Sequence, residues 1–265
     1  MEIIVHNSCI TITNYVLGSY PIIESYFMVT KIITSEYSER IMVAAYHDPE
    51  NNILYLPRGI DIWWLEGVLN TKAKVLVDSY DEFDVYDDIK IKYLPKNNVQ
   101  IQALHFMLGQ AEYRDTITKS QLQLNLNTGA GKTYVAIGTI AYTGIKSIII
   151  TYSTNILSQW KNRILEYTNI KNKEICDVAG SSVIYRLLTR PKRELESIKV
   201  FLVTHSTLKS YADTNGWDKL AEFFKYIRVG YKFYDEAHTN FSTMCMIDYY
   251  SNVYKSFYLT ATPNR

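Results

Sequence analysis

The chain has 265 residues, with 28 basic and 27 acidic side chains and a formal net charge of +1. This balance gives no bulk electrostatic signature of a nucleic-acid-binding protein, and an apolar content of 47% excludes a disordered chain. Three widely spaced cysteines exclude a disulfide framework and a cysteine-based metal site, while a chain of this length accommodates about two domains.

The first 92 residues are rich in short β-forming runs. These runs cover residues 2–5, 25–33, 40–46 and 53–56. Residues 47–52 are typical of a tight turn, so they predict a hairpin. One short helix is predicted over residues 61–69. We therefore expect an α+β, β-rich accessory domain over residues 1–92.

Two features of this amino-terminal region bear on function. Trp63, Trp64 and Arg58 have the chemistry to stack on or hold DNA, although paired tryptophans beside a helix also serve domain packing. Residues 78–88 carry six acids, and this charge would repel a phosphate backbone. We expect a solvated loop there, with docking of a partner as the alternative.

From residue 93 onward, strand-like and helix-like segments alternate. The predicted strands are 121–126, 147–151, 199–203, 229–234 and 256–260, and the predicted helices lie near 99–110, 132–143, 155–166 and 206–213. This order predicts an α/β domain over residues 93–265, with a mostly parallel sheet and helices on both faces.

Residues 127–133 read Asn-Thr-Gly-Ala-Gly-Lys-Thr between a predicted strand and a predicted helix. Gly129 and Gly131 allow a tight turn that aims backbone N–H groups at an anion near the helix amino terminus. Lys132 is expected to reach the β- and γ-phosphates of a nucleotide, and the Thr133 hydroxyl to ligate Mg²⁺. The segment is typical of a nucleotide phosphate loop.

A strand-like run ends at Asp235-Glu236-Ala237-His238. Open α/β sheets bind their ligands at the carboxyl ends of strands, so Asp235 is expected to hold Mg²⁺. Glu236 is the candidate general base that activates water. The predicted catalytic residues are thus Asp235, Glu236 and Lys132. His238 is predicted to couple the ATP site to the second half of the motor.

The last residues run from an apolar strand into Thr-Ala-Thr-Pro. If this strand neighbours the one that carries the acids, the hydroxyls of Thr260 and Thr262 lie beside them. We expect these two threonines to hydrogen-bond His238 or the γ-phosphate region and to sense the nucleotide.

This ordered set of motifs resembles the amino-terminal motor domain of superfamily 2 helicases and translocases, which has a RecA-like fold. Residues 128–133 match motif I, residues 235–238 match motif II in its DEAH-box form, and residues 260–262 match motif III. The Gln-Trp that follows motif Ia and the Thr-Pro-Asn-Arg ending are most similar to XPB-type repair helicases and bacteriophage branch-migration, or UvsW-like, helicases.

The resemblance implies ATP and Mg²⁺ as cofactors and duplex or branched DNA as the partner. It implies these nucleotide-binding residues: Gln100, as the reader of the adenine edge, Thr128, Gly129, Ala130, Gly131, Lys132 and Thr133. It also implies these nucleic-acid contacts: Ser153, Thr154, Gln159, Thr204 and His205. A second surface with phosphate-binding chemistry combines Arg186, Arg190, Lys192, Arg193 and Lys199, for which a solvated face is the alternative.

In this family a second motor domain supplies the arginine finger and the other wall of the ATP cleft. We therefore expect the front half of a longer helicase that by itself hydrolyses ATP slowly, in the cytoplasm (that of the host if the protein is viral) and without a membrane partner. Two alternatives remain: a one-lobed ATP-binding module that docks a DNA-processing partner, and a helicase that acts on RNA.

Overall fold

The computed structural model describes residues 1–32, 38–42, 44–76 and 82–261, and it describes side chains in these ranges outside 28–32 and 38–42. The chain forms two compact units. Unit 1 comprises Met1–Asp78 and Phe241–Asn252, and unit 2 comprises Ser79–Asn240 and Val253–Arg265. Each unit has its own sheet.

Unit 1 contains a five-stranded sheet. Its strands are β1 (Glu2–Val5), β2 (Cys9–Thr13), β5 (Tyr46–Asp48), β6 (Ile53–Pro57) and β7 (Ala73–Val75), in the order β5-β6-β2-β1-β7. The pair β1–β7 is parallel and the other pairs are antiparallel. The β5–β6 pair, with Asp48 opposite Ile53, confirms the predicted hairpin.

Among the described residues, the remaining elements of unit 1 are a two-stranded ribbon and three helices. They are β3 (Met28–Ile32), β4 (Ser38–Met42), α1 (Pro21–Phe27), α2 (Ile62–Leu69) and α10 (Phe241–Tyr250). The predicted strand over 25–33 is wrong at its start, where residues 25–27 end α1. Helix α2 begins as predicted, because the Asp61 side chain accepts a hydrogen bond from the Trp63 backbone. Apolar residues of β1, β2, β6, α1 and α2 form the core.

Helix α10 follows the acid pair in sequence but belongs to unit 1. The Ser8 backbone N–H donates to Asn252 Oδ1 at 3.1 Å, and the Tyr249 hydroxyl donates to the Ala44 carbonyl at 2.6 Å. Cys9 packs with Cys245 and Tyr249 in a small buried cluster. No pattern in the sequence indicates that a late helix completes the amino-terminal unit.

Unit 2 contains a six-stranded parallel sheet. Its strands are β8 (Gln121–Asn125), β9 (Ser147–Thr151), β10 (Ile175–Val178), β11 (Val200–Thr204), β12 (Tyr231–Asp235) and β13 (Lys255–Thr260), in the order β10-β11-β9-β12-β13-β8. All five pairs are parallel. Because every residue of β9 and β11 is buried, the sheet is covered on both faces, as predicted.

Unit 2 has seven α-helices among the described residues. They are α3 (Asn98–Leu108), α4 (Lys132–Thr143), α5 (Thr154–Tyr167), α6 (Ser181–Thr189), α7 (Lys192–Leu195), α8 (His205–Asn215) and α9 (Trp217–Ile227). The predicted helices near 99–110, 132–143, 155–166 and 206–213 correspond to α3, α4, α5 and α8. The strand β10 and the helices α6, α7 and α9 were not predicted. The α/β, RecA-like fold class is confirmed.

Residues 82–92, which we call the amino-edge strap, run along the amino ends of the unit 2 strands. The Tyr86 backbone N–H donates to the Gly144 carbonyl at 2.8 Å, and a Cβ at Gly144 would lie 2.0 Å from the Tyr86 carbonyl oxygen. Asp84 pairs with Lys146 at 2.6 Å and with Arg228 at 2.7 Å. The expected solvated loop is therefore wrong in part for the described residues of the acidic tract, because Asp84 and Asp88 pair with basic side chains, whereas Glu82 and Asp87 are exposed.

Candidate nucleotide-binding site

The predicted phosphate loop joins β8 to α4. Gly131 adopts a left-handed conformation with φ of 104° and caps α4, which begins at Lys132. Gly129 also has a positive φ, of 82°. The first N–H groups of a helix have no partner within the helix, so this bend can donate hydrogen bonds to an anion.

The Gln100 side chain holds this loop in place through a hydrogen bond. It lies in the first turn of α3, where Asn97 Oδ1 accepts from its backbone N–H at 3.0 Å. Its Nε2 donates to the Ala130 carbonyl at 3.3 Å, and its Oε1 accepts from the Lys96 backbone N–H at 2.8 Å. A Cβ at Gly131 would lie 2.3 Å from Gln100 Nε2, the end of a flexible side chain, so the φ of 104° is the stronger reason for glycine at this position.

The two acids lie where β12 ends. Asp235 is the last residue of β12, and the Trp160 indole N–H donates to its Oδ2 at 2.7 Å. Burial raises the pKa of the Asp235 carboxyl, and the hydrogen bond from Trp160 opposes that rise. Glu236 has a positive φ of 51°, which turns the chain sharply after the strand.

Lys132 connects the loop to the acids. Its Nζ lies 3.6 Å from Glu236 Oε1 and donates to the Leu126 carbonyl at 3.3 Å. Two segments about a hundred residues apart in sequence thus meet at one ammonium group. Since β8 and β12 both pair with β13, the sheet order itself brings the two motifs together.

The predicted coupling residues also meet at this edge. His238 Nδ1 lies 3.0 Å from Thr260 Oγ1 and 3.4 Å from Glu236 Oε2. The Leu126 backbone N–H donates to the Thr260 carbonyl at 3.1 Å, so β13 touches the phosphate loop as well. Thr262 lies outside the described residues.

These groups share one cavity of about 1250 Å³ in unit 2. Its lining includes Thr128, Gly129, Gly131, Lys132, Thr133, Gln100, Gln159, Asp235, Glu236 and His238. Apart from Ala130, the predicted site residues of the phosphate loop and the acid pair therefore lie around a single space, large enough for a nucleotide.

The donor set of this cavity fits Mg²⁺. Among the described residues, no group of three His, Cys, Asp or Glu side chains could hold a metal ion alone. Mg²⁺ is instead commonly held by one or two oxygen ligands from the protein together with substrate phosphates. The Thr133 hydroxyl and the Asp235 carboxylate are such oxygen ligands, and both line the cavity.

The residues predicted to contact nucleic acid differ in their exposure. Gln159 lines the nucleotide cavity, and Thr154 is exposed at the start of α5, just after its N-cap Ser153. Thr204 and His205 are only 3% and 1% exposed. Thr204 accepts from the Thr207 backbone as the N-cap of α8, so neither residue presents its side chain to a ligand in this structure.

The prediction that Lys199 belongs to the basic surface is wrong. It is buried, and its ammonium pairs with Asp88 at 2.7 Å and with Glu174 at 3.3 Å. Arg186, Arg190, Lys192 and Arg193 remain exposed.

Two features of the cavity were missed. The first is the role of Trp160, whose partner lies 75 positions away in sequence. The second is an aromatic wall of Tyr93, Tyr134 and Tyr167, in which the Tyr134 hydroxyl donates to the Tyr93 carbonyl at 2.8 Å and both rings stand edge-on to Tyr167. No sequence pattern signalled this wall, because its members come from the loop before α3, from α4 and from α5.

Across the part of the chain that the structure describes, no helix is both long enough and apolar enough to cross a bilayer.

Comparisons with known proteins agree with this geometry. The family model described as "Type III restriction enzyme, res subunit" (ResIII) matches residues 94–265. A search of the curated proteins found no match. The UvsW helicase from bacteriophage T4 is similar in structure, with a TM-score of 0.59 and 17% identity over 99% of this chain and 93% of that chain. A second T4 UvsW structure gives a TM-score of 0.60 and 18% identity, and the chain covers 53% of its length.

Identities this low establish a shared fold and not a shared substrate. The family model, in contrast, spans the phosphate loop, both acids and the strand β13. The chain belongs to the family described as the res subunit of type III restriction enzymes, and its unit 2 is the amino-terminal motor domain of a superfamily 2 helicase with a UvsW-like fold.

Proposed function

We propose that unit 2 binds and hydrolyses ATP with Mg²⁺ and that hydrolysis drives remodelling of duplex or branched DNA in repair, recombination or replication. The observation that carries the proposal is the position of Lys132 Nζ, 3.6 Å from Glu236 Oε1 in a cavity also lined by Thr133 and Asp235. Membership of a family named for restriction enzymes, whose substrate is DNA, supports DNA as the partner.

Each side chain has a proposed task. Lys132 contacts the β- and γ-phosphates together with the N–H groups of residues 128–133. Thr133 and Asp235 hold the metal, and bound Mg²⁺ neutralises phosphate charge as the γ-phosphoryl group is transferred. Glu236 orients the attacking water and accepts its proton.

Gln100 has two proposed tasks. It fixes the loop through Ala130, and it uses its second amide hydrogen on the adenine edge. For coupling, His238 and Thr260 form a hydrogen-bonded pair next to Glu236, which supports the proposal that they pass the state of the nucleotide onward with Thr262.

We propose that residues 1–92 act as an accessory region in recognition of the DNA substrate. The exposure of Trp63, 85% of whose surface is accessible, supports a role in contacting a ligand. Trp64 instead packs within unit 1, because its ring lies edge-on against Tyr26 with 4.9 Å between ring centres. The nucleic-acid contacts proposed for unit 2 are Ser153, Thr154 and Gln159, with Thr204 and His205 requiring a rearrangement to take part.

A second motor domain is the proposed partner in catalysis, encoded by the same longer chain. Of the two UvsW chains, one is covered over 93% of its length and the other over only 53%, and the longer chain supports this proposal. An arginine finger from such a domain typically raises turnover by about 10³-fold or more. The proposed place of action is the cytoplasm, where both ATP and DNA are available.

The test measures binding of a fluorescent ATP analogue to this chain in the presence of Mg²⁺. We expect Lys132→Ala to weaken binding by about 100-fold, because charge-assisted hydrogen bonds to the phosphates are lost. Glu236→Gln is the matched control and should retain binding, since its proposed task concerns water. Unchanged affinity in Lys132→Ala would show that the site is assigned wrongly, and equal stimulation of ATP turnover in the complete protein by RNA and DNA would exclude the DNA-specific function.

A further inference from the structure

Trp160 makes a contact that the family motifs do not explain. It lies on α5, is only 2% exposed, and packs among the apolar residues of the unit 2 core. A buried indole N–H normally finds an acceptor, and many acceptors in a protein are backbone carbonyls. Trp160 instead donates to Oδ2 of Asp235, at 2.7 Å.

This hydrogen bond acts on the side chain of Asp235, because the backbone at that position is already fixed. The Asp235 backbone is fixed within β12, which pairs with β9 and β13. The terminal torsion of a carboxylate, however, is broad and roughly two-fold, so its two oxygens rotate easily unless a neighbour holds one of them. The indole N–H holds Oδ2, and Asp235 lines the cavity, so we expect Oδ1 to be the oxygen that a metal there would meet.

The indole itself is well held. Trp160 lies in α5 between Leu157 and Ile164, which are both buried in the same core cluster. A rotation of the ring would require this core to repack. The direction of the N–H is therefore set by core packing, and the orientation of the carboxylate follows from it.

We propose that Trp160 is a positioning residue that holds Asp235 in its metal-binding orientation through the indole N–H. The inference rests on the proposed function, because it assigns Asp235 to Mg²⁺. Hydrogen-bond partners of metal ligands fix ligand orientation, and their loss typically weakens metal affinity by about 10- to 100-fold.

The test compares the wild-type chain with Trp160→Phe, which removes the N–H and keeps an aromatic ring. A fluorescent ATP analogue is titrated in EDTA and then with increasing Mg²⁺. We expect Trp160→Phe to raise the Mg²⁺ concentration for half-maximal binding by about 10-fold or more, while affinity in EDTA stays within about two-fold. Trp217→Phe, a tryptophan at the start of α9, is the matched control and should leave both values unchanged.

A double-mutant cycle separates positioning from general damage to the core. The double variant Asp235→Asn with Trp160→Phe should need no higher Mg²⁺ concentration for half-maximal binding than Asp235→Asn alone, because the indole acts only through that carboxylate. Additive effects, or an unchanged Mg²⁺ requirement in Trp160→Phe, would overturn the inference while leaving the proposed function intact. A wild-type chain that binds no ATP analogue would defeat the proposed function, and this inference with it.

Circular dichroism establishes whether Trp160→Phe is folded. If it is not, the same titration is made with 3-benzothienylalanine at position 160, which has the shape of tryptophan and a sulfur in place of the N–H. The same increase in Mg²⁺ requirement is expected for this variant, and a wild-type titration curve would again overturn the inference.

Discussion

The two edges of the unit 2 sheet use lysine in opposite ways. At the carboxyl edge, Lys132 lies 3.6 Å from its nearest acid, on the wall of an open cavity. At the amino edge, Lys146 is only 1% exposed and lies 2.6 Å from Asp84. The comparison shows that one edge keeps its cation available for an anionic ligand, whereas the other satisfies its cations with acids from the chain itself.

The amino edge contains a buried charge that needs a counter-charge. Burial lowers the pKa of Lys146, and the hydrogen bond and charge of Asp84 oppose that effect. Lys146 also donates to the Leu195 carbonyl at 2.8 Å. A buried ion pair adds little net stability compared with apolar residues, but loss of one partner leaves an uncompensated buried charge. The strap should therefore matter for folding and not for nucleotide binding.

The largest expected effect is that of Asp84→Asn, which keeps the shape of the side chain and removes its charge. We expect a loss of about 3 kcal/mol in the free energy of unfolding, since Lys146 would stay buried without a counter-charge. Urea unfolding followed by circular dichroism measures this loss. Affinity for a fluorescent ATP analogue, measured on the folded fraction, should be unchanged.

Asp88→Asn is the matched control on the same strap. Its carboxylate is 62% exposed, and its partner Lys199 keeps Glu174 at 3.3 Å. Solvent screens such a pair, so the expected loss is about 1 kcal/mol or less. Equal losses for Asp84→Asn and Asp88→Asn would show that burial is not what makes the amino edge depend on its acids.

The carboxyl edge was largely predictable from sequence, and the amino edge was not. The phosphate loop and the acids are short motifs in which chemistry requires particular residues at fixed spacing, and strand order then brings them together. The pairing of Asp84 with Lys146 depends on where a long connection crosses the sheet, which no local pattern encodes. For the same reason, the sequence could not predict the hydrogen bond between Trp160 and Asp235 or the place of α10 in unit 1.

His205 gives a further test of how burial affects a titratable group, because it is buried with no opposite charge beside it. Neither ring nitrogen has a hydrogen-bond partner among the described residues, and burial lowers the pKa of His205 from 6.5 to about 4. The unfolded chain thus binds a proton that the folded chain excludes, and stability falls as the pH drops from about 6.5 towards 4. Between pH 7 and pH 5 this contributes a loss of about 2 kcal/mol.

His205→Leu should remove that part of the acid sensitivity. Urea unfolding of the wild type and the variant at pH 7 and pH 5 gives four free energies, and other titrating groups cancel in the comparison. The variant should lose about 2 kcal/mol less than the wild type on acidification. Equal losses would mean that His205 accepts a proton in the folded protein, and burial without a partner would then have no measurable consequence at this position.

The smallest expected effect belongs to an exposed pair, Lys209 with Asp213, one turn apart on α8. Their side chains are about half exposed, 49% and 47%, so water already solvates both charges. Lys209→Ala should therefore change the free energy of unfolding by less than about 0.5 kcal/mol in the same urea assay. If this loss approached that of Asp84→Asn, contact between opposite charges would be sufficient for stabilisation and the contrast between the two edges would fail. A loss near zero, beside a large one for Asp84→Asn, would assign the dependence of the amino edge to burial, because both pairs join a lysine to an aspartate within hydrogen-bonding distance.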